Sequence, residues 1–278
     1  MPSNREAYFE ALKLDIPKSI IDFILCEINS FTQVELTKRF DEELLDYAFF
    51  KSVIERYKNG EMIQYIFHRA YFLSLPLYVD KNVLIPRQET EQLVLRTISL
   101  IKECFSESEI NIADVCTGSG CIGIATAKSI PSATYYLTDI SKDALKIAKK
   151  NFENIIGPDS KCVFLQGDML EPLLQKNIDV LICNPPYIED EKTIDEKTWE
   201  QEPHLALLAR PCTLFYQKLF ENIHDVMNPK YLIAFEIGED MENSLSSLVK
   251  KHIPNSEFWF EKDIYGKTRF LFIKNSGV

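Results

Sequence analysis

Short apolar segments alternate with helical segments over the last two thirds of the chain, and this alternation constrains the fold most strongly. Strand character is found at residues 111–116, 133–139, 162–167, 178–183, 231–237, 257–262 and 268–274. Helix-forming sequence such as 141–154 separates the earlier segments. Strands that alternate with helices predict a parallel sheet covered by helices on both faces. Only five residues separate the last two segments, so we expect these to pair antiparallel and complete a mostly parallel, seven-stranded α/β sheet.

Residues 1–70 have helical patterns only, which predicts a small helical bundle outside the sheet region. Isoleucines recur at helix spacing between residues 20 and 28. The sequence Thr32-Gln-Val-Glu35 has the pattern of a capping box, and Asp41 is placed to cap a further helix that ends near Asn59-Gly60. We expect this bundle to be a separate domain that docks a macromolecular substrate.

Residues 71–90 differ from both neighbouring regions and predict a β-hairpin linker. Apolar residues within 75–85 flank Asp80-Lys-Asn82, a sequence that favours a turn. Residues 91–278 would then form the domain that contains the sheet and its ligand site.

Asn184, Pro185, Pro186 and Tyr187 follow directly after the apolar segment 178–183, which has the character of a buried strand. Ligands of open α/β sheets bind at the carboxyl ends of the strands. The sequence therefore places an amide, two rigid prolines and an aromatic ring where a ligand would bind. A proline-rich turn of purely structural use is the alternative.

These residue types suit the transfer of an electrophilic carbon to a planar, conjugated nitrogen. Such a nitrogen is a poor nucleophile because its lone pair is delocalised, so its two N–H groups need fixed acceptors that aim the lone pair. We expect the side-chain carbonyl of Asn184 and the backbone carbonyl of Pro185 to be these acceptors, with the second fixed in direction by Pro186. Tyr187 is expected to stack on the planar group.

A glycine-rich turn follows the first strand segment and predicts a cofactor site. Gly118, Gly120 and Gly123 match the G-x-G-x-x-G pattern, which lets the backbone approach a cofactor closely and which NAD enzymes share. Asp139 lies 21 residues after Gly118, at a strand end where a carboxylate accepts from ribose hydroxyls. The expected cofactor loop comprises Thr117, Gly118, Ser119, Gly120 and Cys121.

Two features favour S-adenosylmethionine over NAD. Asp114 precedes the glycines, where a carboxylate would receive a cationic α-ammonium group but repel a pyrophosphate. Asn-Pro-Pro-Tyr has no role in hydride transfer, and we expect Asn184 to contact cofactor as well as acceptor. Asp168 and Met169 are expected to hold the adenine as acceptor and apolar cover, with a helix N-cap as the alternative for Asp168.

Composition narrows the class of protein further. The net charge of −11 argues against extensive binding to nucleic-acid backbones and favours a protein or small-molecule substrate. The seven cysteines include no C-x-x-C and the four histidines have no zinc spacing, so we expect no metal site. No segment approaches the roughly 18 apolar residues of a membrane helix. With no secretory leader at the amino terminus, we expect a soluble, cytoplasmic protein.

Several motifs together resemble the HemK/PrmC family of class I S-adenosylmethionine-dependent methyltransferases. In chain order they are Val83-Leu-Ile-Pro-Arg-Gln-Glu-Thr-Glu91, Asp114-Val-Cys-Thr-Gly-Ser-Gly120, Asn184-Pro-Pro-Tyr-Ile188, Glu202-Pro-His-Leu-Ala206 and Glu236-Ile-Gly238. The resemblance extends over nearly the whole chain. The first motif is the most specific, whereas Asn-Pro-Pro-Tyr also occurs in amino-methyltransferases of DNA and RNA.

The resemblance implies a helical amino-terminal domain, a hairpin linker and a Rossmann-like domain that uses S-adenosylmethionine. It implies methylation, by direct displacement, of the glutamine N5 in the Gly-Gly-Gln motif of class I peptide chain release factors. Asn184 and Pro185 would hold the glutamine amide. Arg87, Glu89 and Glu91 would belong to a segment that lies over the cofactor, with a salt-bridged structural role as the alternative. The family usually has proline at the position of Gln88 and a glycine-rich loop where this chain has Ala209-Arg-Pro-Cys-Thr213.

Two other functions stay open at the level of sequence. An N6-adenine or other nucleic-acid amino-methyltransferase would share Asn-Pro-Pro-Tyr, although the adjoining stretch 189–196 is acidic. A non-catalytic protein that only binds S-adenosylmethionine would fit the altered segment 209–213. Turnover with a release factor separates an enzyme from such a binding protein.

Overall fold

The computed structural model describes residues 1–105 and 109–277 and divides the chain into two compact units, Met1–Arg69 and Ala70–Val278. Apolar residues are buried in each unit. No helix in the described part of the chain is long and apolar enough to cross a membrane. The docking role expected of the first unit stays a prediction.

The first unit is helical, with α1 (Asn4–Leu12), α2 (Lys18–Asn29), α3 (Gln33–Lys38), α4 (Tyr47–Lys58) and α5 (Ile63–Phe67). Ile21 and Ile24 of α2 are buried in the same apolar cluster as Phe50 of α4. The predicted capping box is confirmed, because Thr32 accepts from the backbone of Glu35 while the Glu35 side chain accepts from the backbone of Thr32. Local sequence therefore accounts for the start of α3.

The predicted N-cap of the fourth helix is wrong. Asp46 precedes α4, and its carboxylate accepts a hydrogen bond from the backbone of Phe49 at 2.8 Å. Asp41 instead pairs with Arg5, which is distant in sequence. Both aspartates precede helix-forming residues, so local propensity does not distinguish them, whereas the contact with Arg5 does.

A two-stranded antiparallel hairpin opens the second unit, formed by β1 (Ala70–Phe72) and β2 (Leu75–Leu77). Its turn lies at Leu73 and Ser74, both of which have positive φ. The predicted hairpin turn at Asp80-Lys-Asn82 is wrong. Asp80 does accept from the backbone of Asn82 at 2.9 Å, but no paired strands flank that turn. Turn chemistry alone does not specify which strands pair.

The remaining strands form one sheet. They are β3 (Asn111–Val115), β4 (Thr134–Asp139), β5 (Cys162–Gln166), β6 (Ile178–Cys183), β7 (Met227–Glu236), β8 (Glu257–Lys262) and β9 (Thr268–Ser276). The strand order is β5-β4-β3-β6-β7-β9-β8. Six of these strands run in the same direction, and β9 runs in the opposite direction between β7 and β8. The predicted mostly parallel, seven-stranded α/β sheet is confirmed.

Helices cover both faces of this sheet: α6 (Gln88–Cys104), α7 (Cys121–Ser129), α8 (Lys142–Ile155), α10 (Leu214–Asn222) and α11 (Glu242–His252). A shorter helix, α9 (Glu196–Gln201), precedes α10 in the chain. One apolar cluster contains Leu93 of α6 and Phe152 of α8. A second cluster contains Leu219 of α10 and Leu245 of α11. A short 3-10 turn, rather than a full helix, occupies part of the connection between β5 and β6.

The strand order creates a crevice at the carboxyl ends of the central strands. The chain runs outward from β3 through β4 to β5 and then returns to β6, which pairs with β3 on its other side. A sheet with this reversal binds ligands outside the carboxyl ends of the strands at the point where the direction changes. The glycine turn after β3 and Asn184 after β6 both lie at this point.

Gly123 provides a test of the packing between α7 and the sheet. A Cβ atom on Gly123 would lie 2.8 Å from Leu137 Cδ1 and 3.1 Å from Asp114 Oδ2, and both neighbours are fully buried. We expect Gly123→Ala to lower the free energy of unfolding by ~1–3 kcal/mol, because overpacking outweighs the better helix propensity of alanine. Urea unfolding measures this, with exposed Ser129→Ala on the same helix as the control. A more stable Gly123→Ala variant would contradict the packing.

Candidate functional site

A large cavity lies at the carboxyl ends of β3, β4 and β6. It contains about 1050 Å³ of space free of protein atoms, including its open mouth. Its lining includes Thr117, Gly118, Ser119, Cys121, Asp139, Asp168, Met169, Asn184 and Pro186. The structure thus brings together most of the residues that the sequence predicted for the cofactor.

The glycine turn at the cavity floor requires its glycines. Gly118 and Gly120 have φ of +54° and +85°, a left-handed conformation that side chains disfavour. A Cβ atom on Gly120 would also lie 3.2 Å from the backbone of Ala148. Gly118, in contrast, has open space where its Cβ would be, so a ligand can approach the backbone there.

Asp139 ends β4 and connects the glycine turn to the next helix. Its Oδ2 accepts from the backbone N–H of Gly118 at 2.9 Å, and its Oδ1 accepts from that of Ser141 at 2.8 Å. Burial raises the pKa of this carboxyl, while these backbone hydrogen bonds oppose the shift. An ionised carboxylate has about four lone-pair sites, so Asp139 retains acceptor capacity on the cavity side.

Asp114 does not line the cavity, contrary to the expectation that it receives an ammonium group directly. It is fully buried, and its Oδ2 accepts from Thr117 Oγ1 at 2.6 Å and from Gly123 N at 2.9 Å. Burial raises the pKa of Asp114 to about 7. The carboxyl group therefore holds the glycine turn in shape from behind. Its strand-end position was predicted correctly, but the direction of its side chain was not.

Among the described residues, two buried side-chain atoms have no hydrogen-bond partner, Asp114 Oδ1 and Ser119 Oγ. Asp114 does not line the cavity, whereas Ser119 does and is almost fully buried. Leaving such a group unpaired costs ~1–3 kcal/mol, which a bound ligand can offset. Together with Asp139 and the open backbone at Gly118, the cavity fits the adenosyl and amino-acid parts of S-adenosylmethionine.

Asp168 and Met169 follow β5 and lie on the cavity wall. Met169 is buried and adopts a positive φ of 48°, which suits its expected role as apolar cover. Asp168 Oδ2 pairs with Lys218 Nζ of α10, a partner that the sequence did not indicate. The carboxylate of Asp168 retains acceptor capacity beside this ion pair, so it can still accept from an adenine amino group.

Asn184 and Pro186 line two cavities at once. The second cavity, about 680 Å³ including open space, is lined by all of 184–188 together with Arg87, Asp195 and Glu236. Asn184 therefore stands between the cofactor cavity and a second compartment. Pro185 and Tyr187 line only the second cavity, whereas Asn184 and Pro186 line both.

Tyr187 is held by its neighbours in the second cavity. Its hydroxyl donates to Glu236 Oε1 at 3.2 Å, and a Cβ atom on Gly238 would lie 3.2 Å from Tyr187 Cδ2. Burial raises the pKa of the Tyr187 phenol well above its usual value. The ring position is thus fixed before any substrate binds, and its stacking on a planar group stays a prediction.

Three contacts near Asn184 connect residues that are distant in sequence. Asn184 Nδ2 donates to Thr90 Oγ1 at 3.2 Å, and Thr90 Oγ1 donates to Glu236 Oε2 at 2.6 Å. Nη2 of Arg87 donates to both carboxylate oxygens of Glu202, whose side chain is fully buried. Each contact joins residues more than 90 positions apart, so no local pattern reveals the partner.

Within residues 1–105 and 109–277, no group of three or more His, Cys, Asp or Glu side chains is arranged to hold a metal ion. That the reaction needs no metal stays a prediction.

Asp139 provides a test of the cofactor assignment. We expect Asp139→Ala to weaken S-adenosylmethionine binding at least tenfold, about 1.4 kcal/mol, because the ribose hydroxyls lose their acceptor and Gly118 loses its anchor. Titration calorimetry measures the affinity. Exposed Asp143→Ala on the neighbouring helix is the control and should bind normally. Undiminished affinity in Asp139→Ala, or tight NAD binding by the wild type, would contradict the assignment.

Comparison with known proteins agrees with this geometry. The profile of the methyltransferase small domain family matches residues 95–201. The fold is similar to that of a methyltransferase from Pyrococcus furiosus, with a TM-score of 0.53 and 17% identity over 74% of this chain and 91% of that one. At this level of identity the likeness concerns the fold alone.

Two relatives are similar over most of their length. The chain is 36% identical to the release factor glutamine methyltransferase of Bacillus subtilis (strain 168), over 80% of this chain and 78% of that protein. It is 30% identical to the release factor glutamine methyltransferase of Bacillus anthracis, over 90% of each chain. The fold, the two cavities that meet at Asn184 and these relatives lead to one conclusion. The chain belongs to the family of release factor glutamine methyltransferases.

Proposed function

We propose that the chain transfers the methyl group of S-adenosylmethionine to N5 of the glutamine in the Gly-Gly-Gln motif of a class I peptide chain release factor. The position of Asn184 between the two cavities is the observation that carries this proposal. The cofactor occupies the cavity of the glycine turn, and the glutamine side chain enters the second cavity. Family membership supports the substrate.

The residues around Asn184 can orient the glutamine amide nitrogen, which is a weak nucleophile. An amide nitrogen shares its lone pair with the carbonyl group, so its two N–H groups must be held while the lone pair faces the methyl group. Asn184 Oδ1 and the Pro185 carbonyl are the proposed acceptors. Such orientation can lower the activation barrier by ~7–11 kcal/mol. S-adenosylmethionine, when bound, supplies a methyl group activated by its positively charged sulfur.

The second cavity has the chemical character that a glutamine side chain needs. Leu84, Ile188 and Leu207 provide apolar walls for the methylene groups. Arg87, held by buried Glu202, provides a fixed cation at the rim. No strong general base is required, because an amide nitrogen becomes acidic once its lone pair forms the new bond.

A nucleic-acid amino-methyltransferase is the weaker candidate. The acidic stretch 189–196 adjoins the second cavity, and the net charge of −11 opposes phosphate binding. The two relatives from Bacillus are named release factor glutamine methyltransferases, not nucleic-acid methyltransferases. We therefore propose that the chain does not bind nucleic acid directly and that it works in the cytoplasm with its protein substrate.

Asn184→Ala tests the catalytic role. We expect methyl transfer at saturating substrate to fall ~10²-fold or more, because one of the two fixed acceptors is lost, while cofactor affinity changes little. Single-turnover kinetics with an intact release factor measures the rate. Exposed Asn243→Ala on α11 is the control and should retain full activity. Rates for Asn184→Ala within a few-fold of wild type would refute the two-acceptor mechanism.

The size of the substrate provides a second test. A methyl group on one amide offers few contacts, so selectivity must come from docking the surrounding protein, and we propose that Met1–Arg69 contributes to it. We expect a short Gly-Gly-Gln peptide to have a kcat/KM at least ~10²-fold below that of the intact factor. Equal values for peptide and protein would show that docking contributes nothing.

A further inference from the structure

We propose that Glu236 and Thr90 orient the side-chain amide of Asn184, so that its carbonyl oxygen rather than its NH₂ group faces the acceptor glutamine. We call this chain of hydrogen bonds the Glu236–Thr90–Asn184 relay. The inference rests on the proposed function of Asn184 as an acceptor. Thr90 lines the first cavity and Glu236 the second, and in this relay both are positioning residues that act through Asn184.

The direction of the relay follows from counting protons. Thr90 has one hydroxyl proton, and it donates that proton to Glu236 Oε2 at 2.6 Å. The oxygen of Thr90 can then only accept from Asn184, and only the NH₂ end of an amide can donate. The opposite end of the amide, Oδ1, is thereby turned away from Thr90. Among the described residues Oδ1 receives no hydrogen bond, which leaves it available to the substrate.

The surroundings of Glu236 act on the protonation of its carboxylate in opposite directions. It ends β7, is 2% exposed, and accepts from Tyr187 as well as from Thr90. The charged and titratable groups near it are Arg269 of β9, Glu89 of α6, Tyr187, Tyr216 of α10 and Cys121 of α7. Arg269 favours the ionised form and Glu89 opposes it. Burial raises the pKa of Glu236 overall.

Protonation of Glu236 would reverse the relay. A neutral carboxyl group donates to Thr90, which then donates to Asn184, and only the oxygen of an amide can accept. The NH₂ group of Asn184 would face the N–H groups of the substrate amide, where two donors oppose each other. The ionised form is present above the raised pKa of Glu236, so kcat is expected to fall as pH decreases through that pKa.

Threonine at position 90 provides the main test. We expect Thr90→Val to lower kcat about tenfold, because the amide of Asn184 loses the acceptor that orients it. KM for an intact release factor and the dissociation constant for S-adenosylmethionine should stay within about threefold of wild type. Thr90→Ser keeps the hydroxyl and should restore kcat to within about threefold. Thermal unfolding checks that each variant is folded.

A second threonine of the same helix is the matched control. Thr97 is also fully buried, and its hydroxyl donates only to the backbone of Leu93 within α6. Thr97→Val makes the same chemical change without touching the relay, and its kcat should equal that of wild type. If Thr97→Val lost as much kcat as Thr90→Val, both losses would come from a general disturbance of α6. That result would overturn the inference.

The pH profile of kcat separates orientation from simple packing. The wild type should lose activity toward acid pH. In Glu236→Gln the amide at 236 can either accept from or donate to Thr90, so we expect a kcat about tenfold lower without that acid limb. An acid limb in Glu236→Gln identical to that of wild type would show that another group titrates and would overturn the role of Glu236.

The double variant distinguishes failure of the relay from failure of the proposed function. If Thr90 acts through Asn184, Asn184→Ala combined with Thr90→Val should lose no more than Asn184→Ala alone. Full kcat in Thr90→Val alongside a large loss in Asn184→Ala would overturn the relay and leave the proposed function intact. Full kcat in Asn184→Ala would refute the proposed role of Asn184, and the relay with it.

Discussion

Three carboxylates near the carboxyl ends of parallel strands, two of them buried and one partly buried, determine the arrangement of the site. Asp114 is the residue before the last in β3, Asp139 ends β4 and Glu236 ends β7. A carboxylate without hydrogen bonds is costly in such a position, so each must recruit donors. Asp114 and Asp139 recruit backbone N–H groups and so shape the glycine turn, whereas Glu236 recruits the hydroxyls of Thr90 and Tyr187. The first pair therefore lies at the glycine turn, and the third lines the second cavity.

Features that depend on local sequence were predicted well. Apolar segments of strand length gave all seven strands of the sheet within a few residues, because burial on both faces demands continuous apolar sequence. The glycine turn and Asp139 were found because left-handed backbone and a strand-end carboxylate have clear sequence signals. Asn-Pro-Pro-Tyr placed the acceptor side, since its position after β6 is fixed once the sheet is known.

Features that depend on contacts between distant segments were not predicted. The side chain of Asp114 turns behind the glycine turn instead of into the cavity, because Thr117 and Gly123 offer it donors there. In the sequence, Thr90 is one residue of the motif 83–91 and carries no signal of its own. Only the fold shows that it lies between Asn184 and Glu236. The hairpin strands pair within Ala70–Leu77, where the sequence has no strong turn signal. Orientation and pairing thus required the structure.

The most direct test of the account is to locate the transferred methyl group. An intact class I release factor is incubated with this protein and S-adenosylmethionine that carries an isotope-labelled methyl group, and tandem mass spectrometry then identifies the modified residue. The account predicts the label on the side-chain nitrogen of the glutamine in Gly-Gly-Gln and on no other residue. Label on a different residue of the factor, or label transferred to added DNA or RNA while the factor stays unmodified, would contradict it.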